Sequence, residues 1–225
     1  MQGSKGKRNL FLYLILFFLL TSYFSNEKNI FPVFNIVSVE YKNNDFLEEN
    51  IKNDIRIFLI GKSLLKINYY DLSAIFGKSD WVKNFKIYKR YPNKVIIGIT
   101  EYQPIALYKN KNNEYYLVNN NFKITNKIIK KKEKNLNLIY VSGTFKKQQF
   151  SNIYLELIKS DIFSKINKLK LLNLDRSDLY LKNDTHVKLG VYDMQEQLNI
   201  LYKITEKYKN VKYIDLRNRN KVIMR

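Results

Sequence analysis

Apolar positions recur along this chain in three rhythms, and each predicts a different kind of element. From Leu10 to Leu20 every residue is aliphatic or aromatic, and the run continues without charge through Thr21-Ser22-Tyr23-Phe24, the pattern of a helix that needs apolar surroundings. Phe34, Ile36, Val37, Val39 and Tyr41 alternate with polar residues and predict a first strand. Phe46, Leu47, Ile51, Ile55, Phe58 and Leu59 then recur at helical spacing, with Asp45 as N-cap, Glu48 completing a capping box, and Gly61 ending the helix. A short extended piece, Leu64–Ile67, leads to Asp71 and a second helix carrying Leu72, Ile75 and Phe76. Two β-rich runs flank the turn signal Tyr91-Pro92-Asn93-Lys94, so the next element is a hairpin with Trp81 at its entrance. The order up to Tyr102 is therefore β-α-α-β-β.

Pro104 marks a junction, because proline has no amide hydrogen to give to a strand ladder. Beyond it, Ile105–Tyr108 and Tyr115–Val118 flank a polar Asn/Lys turn and read as a second hairpin, followed by the turn Asn119–Phe122 and a Lys-rich loop over 126–135. Leu136–Gly143 reads as a strand, and Ile153, Leu157, Ile158 and Ile162 give the following helix an apolar stripe. Leu169–Asp175, Leu179–Leu181 and His186–Leu189 alternate as strands, Met194–Tyr208 carries Leu198, Leu201, Ile204 and Tyr208 at helical spacing, and Val211–Arg217 and Lys221–Arg225 close the chain as strands. No internal repeat is present.

Composition removes much chemistry. Cys is absent and a single His is present among 225 residues, which excludes disulfides, thiolate metal sites, thiol nucleophiles and multi-His centres. The formal charge of +20, from 40 Lys+Arg against 20 Asp+Glu, points in isolation to nucleic acid, anionic lipid or an acidic protein. However, the bases are dispersed, with Lys130-Lys131-Lys132 the one run, and the chain is rich in Lys, Asn, Ile, Tyr and Phe as an AT-rich genome dictates, so a solvated surface explains most of the charge.

Lys5, Lys7 and Arg8 precede the apolar run, and Asn26-Glu27-Lys28 follows it. The run reads either as a cleaved signal peptide or as a retained anchor. Tyr23 and Phe24 stand where a signal peptidase requires small side chains, which favours retention. The expectation is a transmembrane helix over 10–24, a cytoplasmic tail over 1–9 and an extracytoplasmic remainder, a single-pass type II arrangement that meets no nucleic acid. Leu10–Phe24 covers about 22 Å of a ~30 Å hydrocarbon core, a gap for snorkelling of Arg8 and Lys28 or for bilayer thinning to close.

Candidate chemistry is thin. Asp184 and His186 lie two apart on a strand and so share a face, as a base and its orienter would, but no nucleophile motif, second His or Gly-rich oxyanion loop accompanies them, and a surface His beside a turn carboxylate is the better reading. Asp175 and Asp178 fit a turn whose Asp and Ser177 side chains cap backbone groups better than a carboxylate pair. Trp81 reads as a buried packing anchor in preference to an exposed recognition aromatic, and Arg90 and Glu101 either support the sheet edge or contact another protein. No cofactor is implied. Lys221–Met224 reads as a terminal strand whose outer edge offers unpaired N–H and C=O groups, or as a strand that Lys221 and Arg225 guard against aggregation.

Trp81-Val82-Lys83, then Arg90-Tyr91-Pro92-Asn93, a hydrophobic strand, Glu101 and Pro104-x-Ala106 resemble, in order and spacing, the end of the POTRA domain in the FtsQ/DivIB family of bacterial cell-division proteins. Asn119–Phe122 resembles that family's Asp-x-x-Gly-x-x-Phe turn with Asn substituted, and Ile214-Asp215-Leu216-Arg217 is a second signature. The resemblance implies an α+β chain: an N-terminal transmembrane helix, a POTRA domain at 34–102, then a mixed α/β, antiparallel-rich domain at 103–225 ending in an exposed edge strand. It further implies a non-enzymatic inner-membrane scaffold at the division septum, holding FtsB and FtsL by β-strand addition and positioning FtsW and FtsI. Arg217 would pair with a carboxylate of FtsB, and Lys221, Val222, Ile223 and Met224 would supply edge contacts. Asn218 stands where relatives often carry an aromatic. Two other classes remain open on the residues alone: an extracytoplasmic basic domain binding anionic lipid or polyanion, and a wall-active hydrolase.

Overall fold

Ile51, Ile55 and Leu59 fall on one side of a helix. In the computed structural model, which describes residues 4–23, 32–128 and 138–225, they are buried along α2 (Glu49–Leu59). The helix begins later than Asp45 suggested: the N-cap is Glu48, with no side-chain cap hydrogen bond. Its end is as expected. Gly61 takes φ +81, the left-handed region that glycine occupies without strain, and donates its N–H to Ile36 O at 2.9 Å. Leu64–Lys66 forms a 3-10 turn in place of an extended piece. The next helix, α3 (Tyr69–Phe76), is capped by Asn68, whose side chain accepts from Tyr70 N at 2.9 Å, and it begins two residues before Asp71, which sits in its first turn.

The chain divides into two compact units, one of Met1–Lys78 with Asn84–Ile99, the other of Ser79–Lys83 with Thr100–Arg225. In the first, β1 (Ser38–Lys42), β2 (Val82–Arg90) and β3 (Lys94–Glu101) form a three-stranded sheet in the order β1-β3-β2, with β1 parallel to β3. The hairpin is where Pro92 and Asn93 put it, between Arg90 and Lys94. Tyr69 stacks on Phe85 at 4.5 Å, and Phe76 lies 4.4 Å from the same ring, so α3 is fixed to β2 by aromatic packing.

The N-terminal helix α1 spans Ser4–Tyr23, and its described side chains from Asn9 to Leu20 are all exposed. No helix among the described residues is long and apolar enough to cross a membrane, which corrects the expectation of a transmembrane helix over 10–24. What falls short is the apolar part of the helix: Leu10–Leu20, at ~1.5 Å per residue, covers about 17 Å of a ~30 Å hydrocarbon core, with Lys7, Arg8 and Asn9 before it and Thr21-Ser22 after it in the same helix. Phe24 lies outside the described residues.

The second unit is built on a nine-stranded sheet. Its strands are β4 (Pro104–Lys109), β5 (Tyr115–Asn119), β6 (Ile124–Ile128), β7 (Ile139–Gly143), β8 (Ile166–Leu171), β9 (Ser177–Leu181), β10 (His186–Leu189), β11 (Tyr213–Asn218) and β12 (Lys221–Met224). Their order across the sheet is β12-β11-β10-β9-β8-β7-β4-β5-β6. The pairs β4–β7, β7–β8 and β10–β11 are parallel and the other five antiparallel, an antiparallel-rich mixed sheet. Helices α4 (Lys147–Ile158) and α5 (Met194–Lys207) bury Phe150, Ile153, Leu157, Leu198 and Leu201 against the sheet residues Val141, Leu169, Leu179, Val187, Ile214 and Leu216. Ile158 and Tyr208, expected on those stripes, are exposed.

Several boundaries moved. Pro104 begins β4 and stands opposite Asn119, so it opens a strand as well as marking a junction. The left-handed residue of the Asn119–Phe122 turn is Phe122 (φ 57), not an Asn; Asn119 Oδ1 makes this possible by accepting from Asn121 N and Lys123 N, each at 3.0 Å. The first part of the expected 126–135 loop belongs to β6, and 129–137 lie outside the described residues. Ser177 caps nothing: it opens β9, buried.

Candidate partner-binding edge

β11 alternates cleanly. Ile214 and Leu216 point into the helix-covered core, while Tyr213, Asp215 and Arg217 share the opposite face, as a period of two requires. On that face the buried Asp215 carboxylate collects a set of donors. Arg217 Nε lies 2.9 and 3.0 Å from its two oxygens, Arg217 Nη2 2.6 Å from Oδ2, Arg217 N 3.1 Å from Oδ1, and Tyr213 OH 3.2 Å from Oδ2. These bonds, the Arg217 guanidinium first, hold the Asp215 carboxyl down at about 2, below the usual carboxylate range. In return the carboxylate raises the Arg217 pKa. Arg217 keeps a side-chain exposure of 47%, so it is oriented from one side and open on the other.

The backbone of this corner is held by a residue the sequence reading passed over. Gln197, fully buried on α5, accepts from Gly190 N at 2.7 Å through Oε1 and donates through Nε2 to Gly190 O and Tyr192 O. Gly190 must be small, since a Cβ there would lie 3.0 Å from Arg217 O and from the Tyr192 ring. Asp193 caps α5 by accepting from Glu196 N at 2.9 Å, and Glu196 pairs with Arg219 at 3.0 Å. A buried glutamine at helical spacing with Leu198 and Leu201 was the available signal.

β12 pairs with β11 alone, and among the described residues its outer edge meets no strand. The ladder has an irregularity between Asp215 and Asn218. Arg225 and Tyr213 exchange both backbone bonds, at 3.0 and 3.1 Å, so they form a hydrogen-bonded pair. Adjacent antiparallel pairs alternate, which makes Met224 opposite Ile214 the non-hydrogen-bonded type and turns the N–H and C=O of Met224 outward. Val222 packs on the core, whereas Ile223 and Met224 are 41% and 40% exposed. Arg217, Arg219, Lys221 and Arg225 surround them, all exposed.

The remaining site expectations separate from this edge. Trp81 is fully buried, as an anchor should be, with its carbonyl accepting from Tyr102 N at 2.7 Å. Val82, Lys83 and Arg90 lie on β2, Glu101 ends β3, and Pro92 and Asn93 form the turn. His186 does not face Asp184, which sits in a turn at φ 66; its Nε2 lies 2.9 Å from Asp178 Oδ2, and its ring stacks on Tyr180 at 4.6 Å. Among the described residues no group of three His, Asp or Glu side chains is placed to hold a metal.

Two family models cover most of this architecture: "POTRA domain, FtsQ-type" matches residues 34–102 and "Cell division protein FtsQ/DivIB, C-terminal" matches 106–217. The chain belongs to the FtsQ/DivIB family of cell-division proteins. Similar curated proteins include cell division protein DivIB of Clostridium tetani, 26% identical over 191 residues covering 81% of this chain and 64% of the relative. Cell division protein FtsQ of Rickettsia typhi is 27% identical over 164 residues (71% and 60%), and that of Rickettsia prowazekii 28% over 156 (67% and 57%). The matched stretches thus span about three fifths of these relatives' own length. The FtsQ/DivIB C-terminal match ends at Arg217, the residue that Asp215 orients.

Proposed function

We propose that this FtsQ/DivIB-family chain is a non-enzymatic scaffold of the division machinery, which captures an acidic, extended segment of FtsB, and FtsL with it, on the β12 edge, and through them positions FtsW, FtsI and septal wall synthesis. The observation that carries the reading is the outward-facing backbone of Met224 beside an oriented Arg217. An incoming strand gains main-chain hydrogen bonds from the edge, and its carboxylates meet Arg217, Arg219, Lys221 and Arg225, four cations near the acids Asp193 and Glu196 at the start of α5. Asp215 makes Arg217 a directional contact by holding its fork still, so little side-chain entropy is lost on docking. The exposed apolar run of α1 needs an apolar cover, and membrane association at the septum supplies one.

Co-purification of the full chain with FtsB tests this. A Met224→Pro substitution deletes one outward N–H while leaving the β11 ladder intact, and capture is expected to fall about tenfold, the equivalent of ~1.4 kcal/mol. Undiminished capture by a folded Met224→Pro chain rules out strand addition at this edge.

A further inference from the structure

At the end of the second unit that carries the β9–β10 turn, a cavity of about 320 Å³ opens between three elements. Ser164 and Lys165 precede β8, Lys182 and Asn183 form the turn, and Thr205 and Lys209 come from the last turn of α5 and the residues after it. Leu181, 2% exposed, contributes apolar lining. The walls are tied together by backbone bonds: Lys182 N donates to Lys165 O at 2.8 Å, Leu181 N to Thr185 O at 2.9 Å, and Asp184 N to Leu181 O at 3.0 Å. Lys212 Nζ donates to Asn183 O at 3.0 Å, adding a further cation at the rim.

The charges are unevenly matched. Lys165 is committed to Glu206 by an ion pair, lies 3.4 Å from Thr205 Oγ1 and stands over the Tyr202 ring at 5.3 Å. That hydrogen bond from Lys165 lowers the Glu206 pKa, so the carboxylate is already satisfied. Lys209 also acts on Glu206 from a distance, so three lysines, Lys182 and Lys209 in the lining and Lys212 at the rim, stand against one carboxylate that Lys165 already pairs, an excess of positive charge from separate elements around one concavity. They outnumber the half charge that the C-terminus of α5 presents there. Ser164 supplies a hydroxyl. Asn183 Oδ1 accepts from Thr185 N at 3.2 Å, which leaves its amide NH₂ as a neutral donor. Lysines scattered on a convex surface do not converge in this way.

We propose that this cavity binds a phosphate ester, its oxygens held by Lys182 and Lys209 with the Ser164 hydroxyl and the Asn183 amide, and the apolar body attached to it lying toward Leu181 and the lysine stems. The site is independent of the β12 edge, and it assigns part of the chain's positive charge to a ligand. The test titrates the full chain with inorganic phosphate, followed by backbone amide NMR, and measures flotation with phosphatidylcholine vesicles with and without phosphatidylglycerol. Saturable shifts confined to Ser164–Lys165, Leu181–Asn183 and Lys209 are expected. They weaken at least tenfold in Lys182→Ala/Lys209→Ala and are unchanged in Lys111→Ala/Lys146→Ala. If the extra flotation caused by phosphatidylglycerol falls with them, the ester is a lipid headgroup; if that flotation is unchanged, it is a soluble phosphate ester. Shifts that spread over lysines elsewhere, fail to saturate, or weaken equally in both double variants overturn the proposal.

Discussion

The nine-stranded sheet has two edge strands, β6 and β12, and the chain treats them in opposite ways. At β6 the Asn126 amide donates to the Asp80 carboxylate at 3.1 Å, and Asn119 Nδ2 donates to Asp80 O at 2.6 Å. Asp80 is itself buried, paired with Lys123, beside the fully buried Trp81. A short stretch, Ser79–Lys83, thus satisfies polar groups along the β5–β6 hairpin. At β12 nothing described does so, and the exposed groups are Ile223, Met224 and a ring of cations. An edge is a hazard unless it is covered or guarded. One edge is met by the carboxylate of Asp80; the other is guarded by charge alone, the condition under which it can still accept a strand.

The contrast can be broken from the covered side first. Trp81→Ala removes the largest fully buried side chain of that stretch and should cost ~3–5 kcal/mol in chemical denaturation; a loss under about 1 kcal/mol would mean the indole anchors little. Asp80→Ala leaves the Asn126 amide and Lys123 without their partner and should cost about 1–3 kcal/mol by the same measurement. On the open side, Met224→Pro should leave the denaturation midpoint nearly unchanged while reducing FtsB capture about tenfold, which separates edge chemistry from stability. The smallest effect is a titration. The folded Asp215 carboxyl is pulled below its ordinary 3.8 to about 2, so its contribution is complete above pH ~4 and is lost as the pH falls through 2. Because Arg217 is half exposed, the contribution is about 1 kcal/mol or less, and Asp215→Asn should abolish that part of the acid dependence.

How much of this was legible depends on whether the signal was periodic. The helical spacing of Ile51, Ile55 and Leu59, the Pro92-Asn93 turn, Gly61 and the terminal hairpin each state their structure locally, and each is where the pattern put it. The cap of α2 was misplaced because Asp45 competes with the nearby Glu48, and the outcome depends on backbone angles that composition does not carry. β6 was hidden because Ile124, Ile128 and the polar residues between them resemble the adjoining Lys-rich run. The pairing of Asp215 with Arg217 was within reach, since residues two apart on a strand share a face, but the reading assigned Arg217 wholly to a partner. Asp80 could not be assigned, because its partners, Lys123 and Asn126, are more than forty residues away. The spanning helix expected over 10–24 met an arithmetic already visible in the apolar run, which is shorter than a bilayer core, and α1 is not long and apolar enough to cross one.

The place of Ser79–Lys83 also bears on how the chain may be cut. By sequence these residues open the hairpin of the first unit, yet they pack with the second, so the second unit is discontinuous. A fragment begun at residue 103, where the family boundary invites the cut, would leave behind the buried Trp81 and the Asp80 carboxylate that meets β6. It would then carry open edges on both flanks and tend to self-associate in concentrated solution; a fragment begun before Ser79 would keep one flank sealed.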